Sequence, residues 1–253
     1  MDWYLYPLII AAGFLAGIIN TLAGSGSLVT LPLLMFLGLP AGVANGSNRI
    51  GVLFQGVVAV QTLRRRTDYE YKSSWWIVAI TAAGAVLGAK LAIKVDEVWL
   101  NRAILGLMIF MLVVILVEPK KWLREGLPNP KAICNPLYWL LFFGIGVYGG
   151  FIQAGVGIFL LAGLVLAGGY NLVHANAVKL LVVLVYSVLV LAIFQEGGQV
   201  NWGYGLLLAV GQMFGAWVAA RFAADHPKAR IWIRYLLIAV VVASIAKFAI
   251  AGF

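Results

Sequence analysis

The sequence predicts an all-α polytopic membrane protein made of two inverted-topology repeats. Of its 253 residues, 63% are hydrophobic and only 11% are charged, whereas a soluble domain carries about 25% charged residues. Apolar runs of nearly 20 residues recur along the chain, and a run of that length can cross a bilayer as one helix. Two glycine-rich breaks, a first break at residues 21–27 and a second break at residues 153–157, lie at corresponding places in the two halves.

Ten apolar segments are expected to form helices. They lie roughly at 6–22, 27–41, 47–63, 74–93, 99–117, 137–153, 156–169, 175–194, 203–221 and 231–251. The segments after the two breaks are short, since about 14 residues at 1.5 Å each reach only ~21 Å of a ~30 Å hydrocarbon core. Each half is therefore expected to hold one glycine-broken helical hairpin and three spanning helices.

The longest polar stretch, residues 118–136, is interpreted as a cytoplasmic linker between a first transmembrane repeat, 1–117, and a second, 137–253. Several small or polar residues of the first half recur 131 positions later without a gap. These pairs are Gly13 with Gly144, Gly24 with Gly155, Gly26 with Gly157, Gly38 with Gly169, and Asn45 with Asn176. A register kept by such residues predicts an internal repeat.

The charges of matched loops predict how the halves are oriented. The loop at 64–72 holds four basic residues, whereas its repeat partner at 195–203 holds none. Basic loops stay on the cytoplasmic side, so the first loop is placed inside and the second outside. Equivalent loops on opposite sides mean inverted halves. Inverted repeats with broken helices are typical of secondary transporters, whose substrate sites lie near the bilayer midplane.

The breaks are candidate binding segments because free N–H groups at a half-helix N-terminus attract anions. Ser25 and Ser27 are expected to cap the short helix that begins near Leu28, and the glycines let a ligand approach the backbone. Close packing between helices is the alternative explanation for any single glycine. Gly84, Gly88, Gly211 and Gly215 have the spacing of such packing positions.

The starts of the helices after the short segments each place a cation beside an amide. Two opposed cations, Arg49 and Lys179, near a pseudo-two-fold axis would suit an anion, although each alone could instead extend to the membrane interface. The candidate substrate-binding residues are Gly24, Ser25, Gly26, Asn45, Ser47, Asn48, Arg49, Gly155, Gly157, Asn176 and Lys179.

The distribution of acidic residues favours an anionic substrate. All nine carboxylates lie in tails, loops or segment ends, whereas cation carriers commonly use a carboxylate inside the membrane. The net charge of +9 is assigned to cytoplasmic loops and not to nucleic-acid binding. The single cysteine, Cys134, excludes a cysteine-based metal site. No cofactor is expected, and a coupling ion, proton or sodium, is left open.

Several short motifs in the sequence are similar to those of a known protein family. They are Ala12-Gly13 through Gly17, Ala23-Gly24-Ser25-Gly26-Ser27, Pro32, Gly38 and Ala44-Asn45-Gly46-Ser47-Asn48, with a weaker form at Gly144 to Gly157 and Ala175 to Lys179. With these motifs, nearly the whole chain resembles the TauE/SafE family of sulfite exporters. The resemblance implies a multi-pass secondary transporter of sulfite, thiosulfate, sulfoacetate or a related sulfur-containing anion in a prokaryotic inner membrane. Ser27 stands where the family has a third glycine.

Three other functions are considered beside the alternating-access exporter. A passive anion channel of the same fold and a carrier for another small organic anion are both compatible with the sequence. A membrane-embedded enzyme or assembly scaffold is disfavoured, because the sequence shows no serine–histidine–acid set, metal cluster or phosphate-loop motif.

Overall fold

The computed structural model describes residue 3 and residues 5–64, 74–117, 135–223 and 229–251. In these residues the chain is helical, without a β-strand. The helices are α1 (Leu5–Leu22), α2 (Ser27–Phe36), α3 (Ala41–Arg64), α4 (Trp75–Ala92), α5 (Glu97–Val117), α6 (Pro136–Phe151), α7 (Val156–Ala162), α8 (Leu172–Glu196), α9 (Trp202–Val218) and α10 (Ala229–Ala251). Helices α7 and α9 continue into π-helical turns, Gly163–Ala167 and Ala219–Ala223. Most of the predicted linker lies outside the described residues.

The described helices confirm the prediction of an all-helical, multi-pass membrane protein. Five of them are long and apolar enough to cross a bilayer: Leu5–Leu22, Trp75–Ala92, Glu97–Leu116, Leu172–Glu196 and Trp202–Arg221. Helix α3 has 24 residues but is less apolar, because it carries a polar turn around Arg49. Helix α2, with 10 residues, reaches only ~15 Å and cannot span a bilayer by itself.

The helices of the two halves keep the register found in the sequence. Helix α6 begins 131 positions after α1, and α8 begins 131 positions after α3. The other three pairs of helix starts agree with this offset within four residues. Left-handed glycines follow it too, with φ of 76° at Gly24 and 74° at Gly155, and 89° at Gly38 and 73° at Gly169. Both halves therefore pass through the same order of elements.

The most extensive packing joins one half to the other. Helix α1 packs along α9, and α4 packs along α6. Between these two pairs, α3 and α8 contact each other, α3 also contacts α9, and α8 also contacts α4. The polar turns of α3 and α8 are therefore enclosed by helices of both halves.

Glycines set the close approach in both inter-half pairs. A Cβ atom at Gly211 or Gly215 of α9 would collide with the α1 backbone, and one at Gly84 or Gly88 of α4 would collide with the α6 backbone. Small residues allow such contact between membrane helices. This confirms the prediction that these four glycines pack helices.

Gly211→Ala is expected to lower the free energy of unfolding by about 1–3 kcal/mol, because the added methyl must displace a neighbouring backbone. It would lie 2.7 Å from the Phe14 nitrogen and closer still to the Ile10 oxygen. Gly144→Ala on α6 is the matched control, since no described atom lies within 4 Å of the methyl group that alanine would add there. Thermal unfolding in detergent measures the difference, and equal losses in both variants would contradict the role of Gly211 in packing.

Candidate functional site

The two breaks lie in direct contact. The Gly157 N–H donates to the Gly24 carbonyl oxygen at 3.0 Å. A Cβ atom on Gly24 would lie only 2.5 Å from the Gly157 Cα. Gly24 and Gly155 both have the left-handed backbone that glycine adopts without strain. The start of α7 therefore lies against the first break.

The first break is organised by Asn20 at the end of α1. Its Oδ1 accepts from the Gly26 N–H at 2.7 Å, and its Nδ2 donates to Gln55 Oε1 of α3 at 3.0 Å. Sequence reasoning missed Asn20 and Gln55. The signal that could have found them is an amide inside an otherwise apolar membrane segment, where a polar side chain needs a partner.

The expected capping of α2 by Ser25 and Ser27 is wrong. The helix begins at Ser27 after Gly26, and in the described structure no side chain caps it. The Gly26 N–H is already bound by Asn20, and the Ser27 Oγ accepts from Asn48 Nδ2 at 3.0 Å. The buried Ser25 hydroxyl has no hydrogen-bond partner among the described residues.

Asn48 ties α3 to α2 with both ends of its amide. Its Nδ2 donates to Ser27, and its Oδ1 accepts from the Thr30 hydroxyl at 2.6 Å. All three side chains are buried. One N–H and one lone pair of the Asn48 amide are therefore engaged, and a ligand could use only its remaining N–H or lone pair unless it replaced one of these bonds.

Arg49 is fully buried, with 0% of its surface exposed, and it binds the end of α6. Its two Nη atoms donate to the carbonyl oxygens of Gly149 at 2.8 Å and Gly150 at 2.9 Å. One turn earlier on α3, Asn45 Nδ2 donates to the Phe151 carbonyl oxygen at 2.7 Å. The last carbonyls of a helix lack intrahelical partners and carry partial negative charge, so a cation and an amide stabilise this end.

Lys179 makes the corresponding contact on the other side. It is 1% exposed, and its Nζ donates to the carbonyl oxygens of Asn20 at 3.0 Å and Thr21 at 3.3 Å in the last turn of α1. Each half thus contributes one cationic side chain that binds carbonyl oxygens at a helix end of the other half, Arg49 at α6 and Lys179 at α1. Both side chains are buried within the protein and do not reach its surface, which argues against the interfacial explanation considered for both.

Two sequence-predicted residues lie apart from these contacts. The Ser47 Oγ accepts from the Asn201 N–H at 2.7 Å, so its described hydrogen bond goes to the segment before α9 and to neither break. Asn176 is half-buried, and its Oδ1 has no hydrogen-bond partner in the described part of the chain. The other predicted residues lie in the two breaks or on the helices that contact them.

The second break and the helices beside it contain polar residues that sequence reasoning did not select. The Tyr148 hydroxyl donates to the Ala154 carbonyl oxygen. The carboxamide of Gln153 and the hydroxyl of Tyr186 are buried, and neither has a hydrogen-bond partner among the described residues. Tyr186 was hidden by the apolar run of α8, although a tyrosine inside a membrane helix is itself a signal, because its hydroxyl needs a partner.

Among the described residues the carboxylates are Asp96, Glu97 and Glu196, all at helix ends. The Glu97 Oε1 accepts from the Ala41 N–H at the start of α3, at 3.2 Å. The other six carboxylates of the sequence lie outside the described residues. The buried cations therefore have carbonyl dipoles, and not carboxylates, as partners within the part of the chain that the structure describes.

Comparisons with known proteins agree with this architecture. A family model described as "Sulfite exporter TauE/SafE" matches residues 9–248. The "Probable membrane transporter protein ORF9" of Sinorhizobium sp. is 30% identical over 225 residues, which cover 88% of this chain and 85% of that protein. A "Probable membrane transporter protein" of Haemophilus influenzae is 25% identical over 228 residues, covering 90% and 88% of the two chains.

"Probable membrane transporter protein YfcA" of Escherichia coli K12 is 29% identical over 219 residues, covering 85% of this chain and 81% of that protein. No solved structure matches the chain significantly. The family model spans nearly the whole chain, including both breaks and both buried cations. The chain therefore belongs to the sulfite exporter TauE/SafE family and is a membrane transporter.

Proposed function

We propose that this transporter exports sulfite or a related small sulfur-containing anion across the cell inner membrane by alternating access. The observation that carries the proposal is the burial of two cations, Arg49 and Lys179, where the broken helices of the two halves meet. The sulfur chemistry of the substrate is supported by the family description.

Burial makes these cations candidates for anion binding. A charge taken out of water needs compensating partners, and backbone carbonyls supply only partial negative charge. No carboxylate pairs with either cation in the described ranges. Lys179 donates to two carbonyl oxygens, whereas an ammonium group has three N–H donors. An anion that enters between the breaks can supply the missing countercharge.

The proposed site keeps the residues predicted from the sequence. These are Gly24, Ser25, Gly26, Asn45, Ser47, Asn48, Arg49, Gly155, Gly157, Asn176 and Lys179. The contact between Gly24 and Gly157 supports a single site shared by both breaks. Ser47 has the least support, because its hydroxyl is bound to the segment before α9.

The inverted arrangement of the repeats, 1–117 and 137–253 joined by 118–136, is part of the same proposal. It is supported by matched helix starts and by the charge difference between the loops at 64–72 and 195–203. Alternating access would follow from movement of one half against the other along the glycine-lined contacts α1–α9 and α4–α6. Inverted repeats commonly move in this way around a fixed site.

Lys179→Met is expected to reduce sulfite flux roughly tenfold or more, because a hydrogen bond to a charged group contributes about 1.5–3 kcal/mol. Uptake of radiolabelled sulfite into proteoliposomes measures the effect. Lys90→Met is the matched control, since Lys90 is exposed in the last turn of α4. Wild-type flux in Lys179→Met would contradict the site assignment.

Counterflow with the same proteoliposomes separates a carrier from a passive channel. Unlabelled sulfite inside the vesicles is expected to accelerate entry of labelled sulfite, because a carrier returns faster when it is loaded. Flux that does not respond to internal sulfite would contradict alternating access and favour the channel. If the protein transported another anion saturably and did not transport sulfite, the proposed substrate would be contradicted, whereas the proposed transport mechanism would not.

A further inference from the structure

The two breaks differ in how completely their polar groups are hydrogen-bonded. In the first break, Asn20 uses its Oδ1, its Nδ2 and its carbonyl oxygen, which bind Gly26, Gln55 and Lys179. The Gln55 Oε1 on α3 is one of these partners. Both the Oδ1 and the Nδ2 of Asn20 are thus bonded within the protein, which gives this cluster a sufficient structural role, and only the Ser25 hydroxyl of the same break is buried without a partner among the described residues.

In the described part of the chain, buried polar groups without a hydrogen-bond partner lie in and around the second break. The Arg49 Nε, the Tyr186 hydroxyl and both polar atoms of the Gln153 side chain have no hydrogen-bond partner among the described residues. Arg49 and Tyr186 are 0% exposed, and Gln153 is 3% exposed. Tyr186 lies 131 positions after Gln55, so the repeat places an unpaired hydroxyl where the first half has a bonded amide.

These groups belong to one cluster around the end of α6. The Arg49 guanidinium donates to the Gly149 carbonyl oxygen, and a Cβ atom on Gly149 would lie 3.3 Å from the Tyr186 hydroxyl. Gln153 follows Gly149 by four residues, just past the end of α6, and its carboxamide lies close to the Tyr186 hydroxyl but outside hydrogen-bond geometry. The aromatic ring of Phe194 covers the guanidinium, with 5.3 Å from its Cζ to the ring centroid.

The hydrogen-bond donors and the positive charge of this cluster indicate which kind of ligand it can bind. Arg49 Nε offers an N–H, Tyr186 an O–H and Gln153 an NH₂ group, so three donors of different residues are available. Unpaired buried donors are costly, which favours a ligand with several acceptor atoms. The positive guanidinium disfavours a metal cation. A compact oxyanion, with oxygen atoms pointing in several directions, satisfies both the charge and the donors.

We propose that Arg49, Tyr186 and Gln153 form the oxyanion-binding part of the transport site, located at the second break. The proposal rests on the proposed function and assigns two substrate contacts, Tyr186 and Gln153, beyond the set predicted from the sequence. At the first break, Asn20 and Gln55 hold α1 and α3 together, and Lys179 supplies the second positive charge of the site. The substrate class is a small oxyanion whose oxygen atoms accept hydrogen bonds, as sulfite does.

Tyr186→Phe tests the proposal, because it removes only a hydroxyl that lacks a partner in the described structure. The KM for sulfite in proteoliposomes is expected to rise roughly tenfold or more, since a hydrogen bond to a charged ligand is lost. The thermal unfolding temperature without sulfite is expected to stay unchanged. The stabilisation of the detergent-purified protein by added sulfite is expected to weaken in parallel.

Ser187→Ala is the matched control. Ser187 is the next residue of α8, and its buried hydroxyl is likewise unpaired within the described ranges. Its KM is expected to equal that of the wild type. Gln153→Leu provides a second variant, which removes the carboxamide at similar volume and should also raise KM without lowering the unfolding temperature.

The outcomes separate this inference from the proposed function. Wild-type KM in both Tyr186→Phe and Gln153→Leu, with normal sulfite transport by the parent protein, overturns the inference alone. A lowered unfolding temperature with unchanged KM also overturns it, because that result indicates a structural role. Absence of saturable flux of sulfite, thiosulfate and sulfoacetate in the wild type overturns both.

Discussion

Arg49→Met is expected to abolish saturable anion flux and to lower the free energy of unfolding by about 2–6 kcal/mol. Two α6 carbonyls, those of Gly149 and Gly150, lose their donors in a buried site, and each unsatisfied group costs about 1–3 kcal/mol. Methionine keeps much of the side-chain volume, so the loss reports mainly the missing hydrogen bonds and charge. The cation–π contact with Phe194 is lost as well.

Arg49→Lys separates charge from geometry. A lysine keeps the positive charge, but its ammonium cannot reproduce the planar fork that reaches two carbonyls and Asn45 Oδ1 together. Stability and flux are therefore expected to lie between those of Arg49→Met and the wild type. Thermal unfolding in detergent and flux in proteoliposomes measure both quantities on the same preparations.

Arg102→Met is the control for loss of a cation. Arg102 is exposed on α5, where its guanidinium lies 5.6 Å from the ring centroid of Trp99. Surface contacts of this kind contribute little, so stability is expected to change by less than about 1 kcal/mol. Wild-type stability in Arg49→Met would contradict the role of Arg49 as a cap of α6.

The helices could be predicted from the sequence because a bilayer imposes a simple rule of length and hydropathy. The bounds near the first break were less accurate. The second segment was predicted to reach residue 41, but α2 ends at Phe36, because Gly38 adopts a left-handed backbone with φ of 89°. The next helix was expected from residue 47 and begins at Ala41, directly after Pro40. Pro40 and Gly38 were the available signals for this boundary.

The polar residues 45–49 were expected at the start of a helix beginning near residue 47, whereas they lie buried inside α3, which begins at Ala41. Hydropathy marks residues 45–49 as polar and cannot show that helices of both halves enclose them. Asn45, Ser47, Asn48 and Arg49 are all buried. Hydropathy averaged over a segment therefore places the start of this helix too late, at residue 47 and not at Ala41, so that Asn45 falls outside it.

The partners of the two cations could not be predicted. Arg49 and Lys179 were selected from the sequence, but they bind main-chain carbonyls 100 to 159 positions away. Every residue carries a carbonyl, so no side-chain pattern marks these acceptors. Only the end of a helix makes a carbonyl available, and the relevant ends, in α1 and α6, belong to the opposite half.

The repeat explains both what the halves share and where they differ. The left-handed glycines and helix starts agree between the halves, because both must build the same broken hairpin. Side chains at matched positions differ, as Gln55 and Tyr186 do. Gln55 completes the hydrogen bonds of Asn20, whereas the Tyr186 hydroxyl has no partner in the described residues. The same order of helices can thus support a hydrogen-bonded structural cluster in one half and a ligand-binding cluster in the other.

Gly24→Ala is expected to prevent stable folding or to abolish transport, because two separate costs add at this residue. The left-handed backbone, with φ of 76°, costs an alanine about 1–2 kcal/mol. The new methyl would also lie 2.5 Å from the Gly157 Cα, and relieving such an overlap costs about 1–3 kcal/mol more. Thermal unfolding, together with flux of labelled sulfite, measures the total effect.

Two further variants separate these costs. Gly38→Ala has the same kind of backbone, with φ of 89°, but no described atom lies within 4 Å of the new Cβ, so only the backbone cost of about 1–2 kcal/mol is expected. Gly157→Ala would overlap Gly24 without a left-handed backbone and should show the overlap cost alone. If Gly24→Ala were no worse than Gly38→Ala, the contact between the breaks would not limit stability. If the losses in Gly38→Ala and Gly157→Ala together approach the loss in Gly24→Ala, the backbone cost and the overlap cost act independently, and the close contact between the two breaks contributes directly to the stability of the protein.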